Sequence, residues 1–192
     1  MSLPKVAIPQ FKVHLPSDNK EVYFRPFLVK EEKALLMAIE SKDENVMAKS
    51  IMDILDACIM SEDVDIKSKP YFDLEYFFLN LRAKSVGEIV KFDYRHVNSL
   101  NRQGDECKAV TEVSINLEDI KVQFNPEHKN VVQLNDQISL KMKYPNLYDI
   151  VKMSQAGFSD LDVISSCIDS AFDANQIYDV ESLAEARQLS NR

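Results

Sequence analysis

His96 and Cys107 come nearest to a reactive or metal-binding pair in this chain. Both lie near the loop end of one expected hairpin, and by strand parity each can point to the face that carries Phe92 and Val113. A structural zinc site needs four ligands, usually paired at short C-x-x-C-type spacings. Here one His and one Cys have only Asp105, Glu106 and His128 as conceivable helpers. The same two residues can be drawn as a Cys-His dyad, but the sequence implies no third orienting group and no oxyanion element. Glu62, Asp63 and Asp65 have the close spacing of calcium-binding acids, without the glycine or the distal glutamate of a calcium loop. A solvated loop is the reading. Paired carboxylates occur elsewhere, but none sits in an apolar run that would lift its pKa into a working range. Three glycines in the chain leave no room for a phosphate-cradling loop or a dinucleotide fingerprint. A metal- or cysteine-dependent enzyme centred on His96 and Cys107 is the alternative reading, and a protein without chemistry of its own is the preferred one. No cofactor and no small-molecule substrate are expected.

The elements that would position these residues follow from periodicity. Phe11–Leu15 and Val22–Arg25 alternate apolar and polar residues around the turn formers Pro16 to Lys20, which predicts a β-hairpin with His14 on its polar side. Pro26 separates that hairpin from a helix beginning at Val29, with Glu31 and Glu32 at its positive end and Leu28, Leu35, Leu36 and Ile39 as its apolar stripe. Ser41 and Glu44 have capping-box spacing, predicting a second helix that buries Val46, Met47, Ile51, Ile54, Leu55, Cys58 and Ile59. Met47 and Met52 read as core filling. Asp73 reads as the N-cap of a third helix, with Phe72 and Phe77 as its hydrophobic staple, Leu74, Phe77, Phe78 and Leu81 buried, and Gly87 at its end.

The middle of the chain changes period. Val90, Phe92, Tyr94 and His96 alternate with charged residues, as do Thr111, Val113, Ile115 and Leu117 with polar ones, so two half-buried strands are expected around the polar loop Asn98 to Asp105. A short strand is expected at Lys121 to Phe124, then a hairpin with Val132 and Leu134 facing Ile138, Leu140 and Met142. Pro145 marks a helix carrying Leu147, Ile150, Val151 and Met153 and ended by Gly157. Ser159 and Asp162 introduce another helix with Leu161, Ile164, Cys167, Ile168 and Phe172 on one side. A last helix is expected from about Val180. The fold class is therefore α+β: an N-terminal hairpin, three helices, a small antiparallel sheet and a C-terminal helical tail. Residues 1–144 are expected to form the core, and residues 145–192 an acidic helical segment packed on it.

Composition bounds the function. The hydrophobic fraction of 45% and charged fraction of 28% over 192 residues fit one soluble globular domain. No apolar run reaches the ~18 residues of a membrane helix, and the start, Met1 to Lys5, has no apolar core of a signal peptide. The odd set Cys58, Cys107 and Cys167 is widely spaced, which favours free thiols in a reducing cytosol. The formal net charge of -8 argues against a sequence-independent grip on nucleic acid. No basic residue occurs between Lys152 and Arg187, while Asp160, Asp162, Asp169, Asp173, Asp179, Glu181 and Glu185 lie inside that span. A solvated acidic face is one reading of it, and a docking surface for a basic partner the other. Within the polar loop, Asn101 and Arg102 are the further candidate contacts.

Four blocks in order carry a resemblance: Arg25-Pro26-Phe27-Leu28-Val29-Lys30-Glu31-Glu32-Lys33 with Leu35-Leu36-Met37-Ala38; the aromatic helix Asp73 to Ala83 ending in Lys84-Ser85-Val86-Gly87-Glu88; Lys143-Tyr144-Pro145; and Gln176-Ile177-Tyr178-Asp179-Val180. Together they resemble the baseplate hub family of contractile-tailed, T-even-type bacteriophages, from about Phe11 to Val180. The resemblance implies a protein that helps build the hub of a tail baseplate in the cytoplasm of the infected bacterium. It would be incorporated in the particle or act as a chaperone for hub components, and its partners would be other hub and baseplate proteins. Longer relatives continue past Arg192 with further helix and an aromatic-rich end, so any function of that end is not expected here. The family supplies no binding residues to carry over.

Overall fold

In the computed structural model, residues 8–96, 100, 103–105, 107–154 and 159–179 are described. The chain opens with the expected hairpin, β1 (Phe11–His14) and β2 (Glu21–Phe24), antiparallel with Phe11 opposite Phe24 and Val13 opposite Val22. Val13, Val22 and Phe24 point inward and are buried together with Leu15. The other face is polar: Lys12 and His14 both reach Glu21, at 2.9 and 3.4 Å.

Three helices pack behind it: α1 (Val29–Ser41), α2 (Glu44–Cys58) and α3 (Tyr71–Val86). Phe24, Phe77, Leu15, Met52, Leu55, Ile66 and Leu81 are almost wholly removed from water, each worth about 1.5–3 kcal/mol of burial. Phe24 and Phe77 meet edge to face with ring centroids 5.3 Å apart. The end of β2 is tied to the end of α2 by a bridge between Phe24 and Ile59 and by the bond from the Met60 amide to the Tyr23 carbonyl, 2.8 Å.

Two helix starts differ from the expectation. Ser41 stays in the last turn of α1 and donates its hydroxyl to the Ala38 carbonyl, while Asp43 caps α2 by accepting from the Asn45 and Val46 amides. A carboxylate one residue before the helix simply outcompetes a hydroxyl still held by the preceding one. Val46 accordingly lies outside the buried face, and Ala48 and Met52 lie within it. In α3 the helix starts two residues earlier than Asp73, after Pro70. Asp73 is fully buried and caps a different element, accepting from the Ser17 amide at 2.9 Å and from the Ser17 hydroxyl. It pins the β1–β2 turn to α3.

β3 (Ile89–Arg95) and β4 (Val110–Asn116) form an antiparallel ribbon of their own. The expected strand at Lys121 to Phe124 is absent; a 3-10 turn at Leu117–Asp119 leads instead into irregular chain whose Phe124 ring rests on Phe72. β5 (Val131–Gln133) and β6 (Ser139–Met142) make the expected second hairpin. α4 (Leu147–Ser154) packs against α2 and α3, and the Tyr71 amide donates to the Pro145 carbonyl at 2.9 Å.

The largest departure comes next. α5 (Asp160–Ser166) begins with the expected Ser159 and Asp162 capping box, but it ends after seven residues. Ile168 to Phe172, expected as the continuation of that helix, is a strand, β7, paired with β6; β8 (Ile177–Asp179) follows it in a four-stranded antiparallel sheet ordered β5-β6-β7-β8. The tail is thus sheet as well as helix. β6 offers a free edge, and satisfying that row of backbone groups outweighs a weak helical pattern. Gly157 and the helix expected from Val180 lie outside the described residues.

Candidate interaction surfaces

The corner between β2 and α1 decides what α1 shows to solvent. Arg25 extends from the end of β2, and its amide donates to the Cys58 carbonyl at 3.0 Å. Its guanidinium donates to the Ala57 and Pro26 carbonyls and, at 3.0 Å, to Glu31. Glu31 also accepts from the Leu28 amide at 2.8 Å, capping the helix start. Both side chains of the pair are sequestered, with 14% and 5% of their surface exposed. Burial alone pushes the Glu31 carboxyl up, but Arg25, the Leu28 amide and Lys30 outweigh it and hold the group below the ordinary glutamate range.

Drawing Glu31 inward rotates the helix. Glu31 and Ala38 become its buried residues. The stripe expected to face the core does not: Leu28, Leu36 and Ile39 are exposed and Leu35 is half-buried. Val29, at 79% exposure, and Met37, at 61%, extend the same outward arc. α1 therefore turns four large apolar side chains to solvent, with Leu28 of its N-cap beside them. Sequence reasoning missed Val29 and Met37. The signal available was the need of Glu31 for the guanidinium six residues before it.

The β3–β4 ribbon is the second such surface. Val90, Phe92 and Tyr94 stand opposite Ile115, Val113 and Thr111 on one face, and Lys91, Asp93 and Arg95 opposite Ser114, Glu112 and Val110 on the other. Phe92, Tyr94 and Ile115 are exposed. The two strands are not the half-buried pair that alternation predicts, because among the described residues no element covers their apolar face. A third feature is a groove of about 360 Å³ between α2, α3 and α4, lined by Ile51, Leu74, Phe78 and Leu147, with Tyr71 and Glu75 as its polar members. One acid and one phenol do not make a catalytic arrangement, and the groove suits an apolar side chain.

The sequence model of the family described as T4 bacteriophage base plate protein matches residues 8–190. The chain belongs to that family. No curated protein and no solved structure matches it. All three apolar features of this T4-type phage baseplate protein lie inside the matched span.

Among the described residues, those singled out for chemistry in the baseplate protein do not gather into a metal-holding group of three or more. The His96 amide donates to the Ala109 carbonyl at 3.3 Å, and its exposed ring lies 6.2 Å from Tyr94. His128 is stacked on Tyr144. Among the described residues no group of three or more His, Cys, Asp or Glu is placed to hold a metal, and Glu106 lies outside them. Asp63 pairs with Lys20 at 2.9 Å and Asp65 caps the turn at Ile66–Ser68 through the Lys67 amide. Cys58, Cys107 and Cys167 are free thiols. Among the described residues no helix is long and apolar enough to cross a membrane.

Among the described residues the acids of the span are engaged locally or exposed. Asp162 accepts from the Ser159 amide and hydroxyl at 3.0 and 2.7 Å, and Asp169 pairs with Lys141 at 2.8 Å. Asp173 organises the β7–β8 turn, accepting from the Asn175 and Gln176 amides. The Asn175 amide is the main reason its carboxyl sits below the usual aspartate range. Asp160 and Asp179 are exposed at the start of α5 and the end of β8. Glu181, Glu185, Asn101 and Arg102 lie outside the described residues.

Proposed function

We propose that this baseplate protein takes part in building the central hub of the tail baseplate, as a hub component or as an assembly chaperone, through protein contacts and without a reactive centre. The family match over residues 8–190 carries the reading. The outward apolar arc of α1 supports it, because a run of exposed Val29, Leu36, Met37 and Ile39 is costly in water and is relieved by a partner. Its partner is another baseplate or hub polypeptide, met in the cytoplasm of the infected bacterium. The acidic positions Asp160, Asp162, Asp169, Asp173, Asp179 and Glu181, with Asn101 and Arg102 of the loop, are a second contact zone, supported by the lack of basic residues between Lys152 and Arg187. Nucleic acid, membranes, cofactors and small-molecule substrates have no part in this reading.

The test is affinity capture from infected cells with the wild-type chain and with L36D/M37D. Wild type should recover tail proteins and the variant should lose them while keeping its thermal midpoint. Capture unaffected by the double substitution would remove α1 from the contact, and capture of no tail component would remove the function. Mass spectrometry of washed virions separates the two roles: a component stays in the particle and a chaperone does not.

A further inference from the structure

The β3–β4 ribbon carries an inference independent of the hub reading. A two-stranded sheet has two free edges, and an uncovered ribbon is marginal in water without a further strand or a covering element. The backbone bonds fix which residues face the free edge of β3. The His96 amide donates to the Ala109 carbonyl and the Leu117 amide to the Glu88 carbonyl, in the register that sets Phe92 opposite Val113. Even-numbered positions of β3 thus bond to β4, and Ile89, Lys91, Asp93 and Arg95 turn their N–H and C=O groups outward.

The charges on that edge are unresolved within one molecule. Asp93 stands directly across from Glu112, a like charge, and among the described residues it makes no ion pair. Lys91 reaches Glu112 only diagonally, at 3.5 Å. Two copies of β3 running antiparallel about a two-fold axis at Phe92, the midpoint of the strand, would overlap along its whole length. That register places each Lys91 opposite the other copy's Asp93, Val90 opposite Tyr94 and Phe92 opposite Phe92. Shifting the axis by one residue to Asp93 would instead oppose the two Asp93 side chains and set Lys91 against Arg95. Only outward-facing groups pair in the Phe92-centred arrangement, so about eight new backbone bonds form without disturbing those to β4. We propose that the protein self-associates through the β3 edge, forming a continuous sheet β4-β3-β3-β4 from two copies.

Sedimentation velocity of the full chain from about 1 to about 100 μM tests the association. Wild type is expected to pass from monomer to dimer. Asp93→Lys turns two symmetry-related attractive pairs repulsive, so its dissociation constant should rise about tenfold or more, and K91D/D93K should recover the dimer by restoring opposite charges. In a C107S/C167S background, which leaves only the buried Cys58, Phe92→Cys should cross-link two copies through a disulfide on mild oxidation, because its partner is itself, whereas Tyr94→Cys should not. Circular dichroism shows that each variant is folded. A wild type that stays monomeric, a D93K variant that dimerises as well as wild type, or equal cross-linking at positions 92 and 94 would each overturn the proposal. A monomeric wild type whose Asp93→Pro variant loses capture of tail proteins would also overturn it, by assigning the edge to a strand of another polypeptide.

Discussion

Arg25→Ala is the most informative single change, because it removes the guanidinium that fixes the orientation of α1. The variant leaves Glu31, 5% exposed, with the Leu28 amide at 2.8 Å and the largely exposed Lys30 at 3.3 Å as its remaining partners. It also strips the Ala57 and Pro26 carbonyls of their donor. Breaking a buried ion pair by removing one partner costs about 3–5 kcal/mol. Lys30 and the slight exposure of Arg25 place this case at the lower end, about 3 kcal/mol. With a urea slope of about 2 kcal/mol/M, the midpoint should fall by about 1.5 M. R25M/E31L removes both charges together, so it should recover most of the loss. The pH dependence adds a second readout. In the wild type the Glu31 carboxyl lies below its unfolded value, so its contribution is present above that value and is lost as pH falls through the folded one. In Arg25→Ala, burial is opposed by fewer groups and the carboxyl moves up. The cost of the substitution should therefore shrink as the solution is taken from neutral toward the carboxylate range. A loss below about 1 kcal/mol that is the same at both ends of that range would refute the argument, because it is the signature of a surface pair.

Ser17→Ala deletes the hydroxyl donor to the buried Asp73 and leaves it the residue-17 amide alone, and should cost about 1.5–3 kcal/mol by chemical denaturation. Burial already raises the Asp73 carboxyl against the opposing Ser17 bonds, so its contribution is largest at low pH and falls as pH rises through the folded value; the Ser17→Ala penalty should be larger at pH 7 than at pH 4. Gly87 ends α3 at φ 131°, where a side chain is strained even though nothing lies within 4 Å of a Cβ, so Gly87→Ala should cost about 1 kcal/mol or more in the same assay. Cys58 is fully buried and burial pushes its thiol up, so a thiol reagent should label the partly exposed Cys107 and Cys167 in the native protein and reach Cys58 only on unfolding. Rapid native labelling of all three would show that α2 is not packed as described.

What could be read from the residues was whatever a short stretch decides by itself. The hairpins at Phe11–Phe24 and Val131–Met142 follow from alternation around turn formers, and the Ser159 cap from its spacing to Asp162. Asp73 was misplaced because a buried aspartate bound to Ser17, 56 residues away, leaves the same trace in sequence as a local N-cap. Ile168 to Phe172 carries helical spacing, and only the open edge of β6 makes it a strand. The orientation of α1 was illegible for a related reason. Leu35 to Ile39 is apolar throughout, so periodicity defines no unique inner face, and the choice falls to an ion pair with a residue of the preceding strand. The outward surfaces were missed with it.

Most neighbouring elements here are also consecutive along the chain: β1 with β2, α1 with α2, β3 with β4, β5 with β6, β7 with β8. Such units close small loops and need little search, so they should form in microseconds to milliseconds, before the distant contacts lock. The slow step should then be the docking of finished pieces, the turn at Ser17 onto α3 and β7 onto β6. The ribbon is fastened to the rest of the molecule mainly at its base, where the Leu117 turn meets α3. In the free monomer its amides should exchange with solvent deuterium long before those of α2, by an opening that leaves the helical core intact.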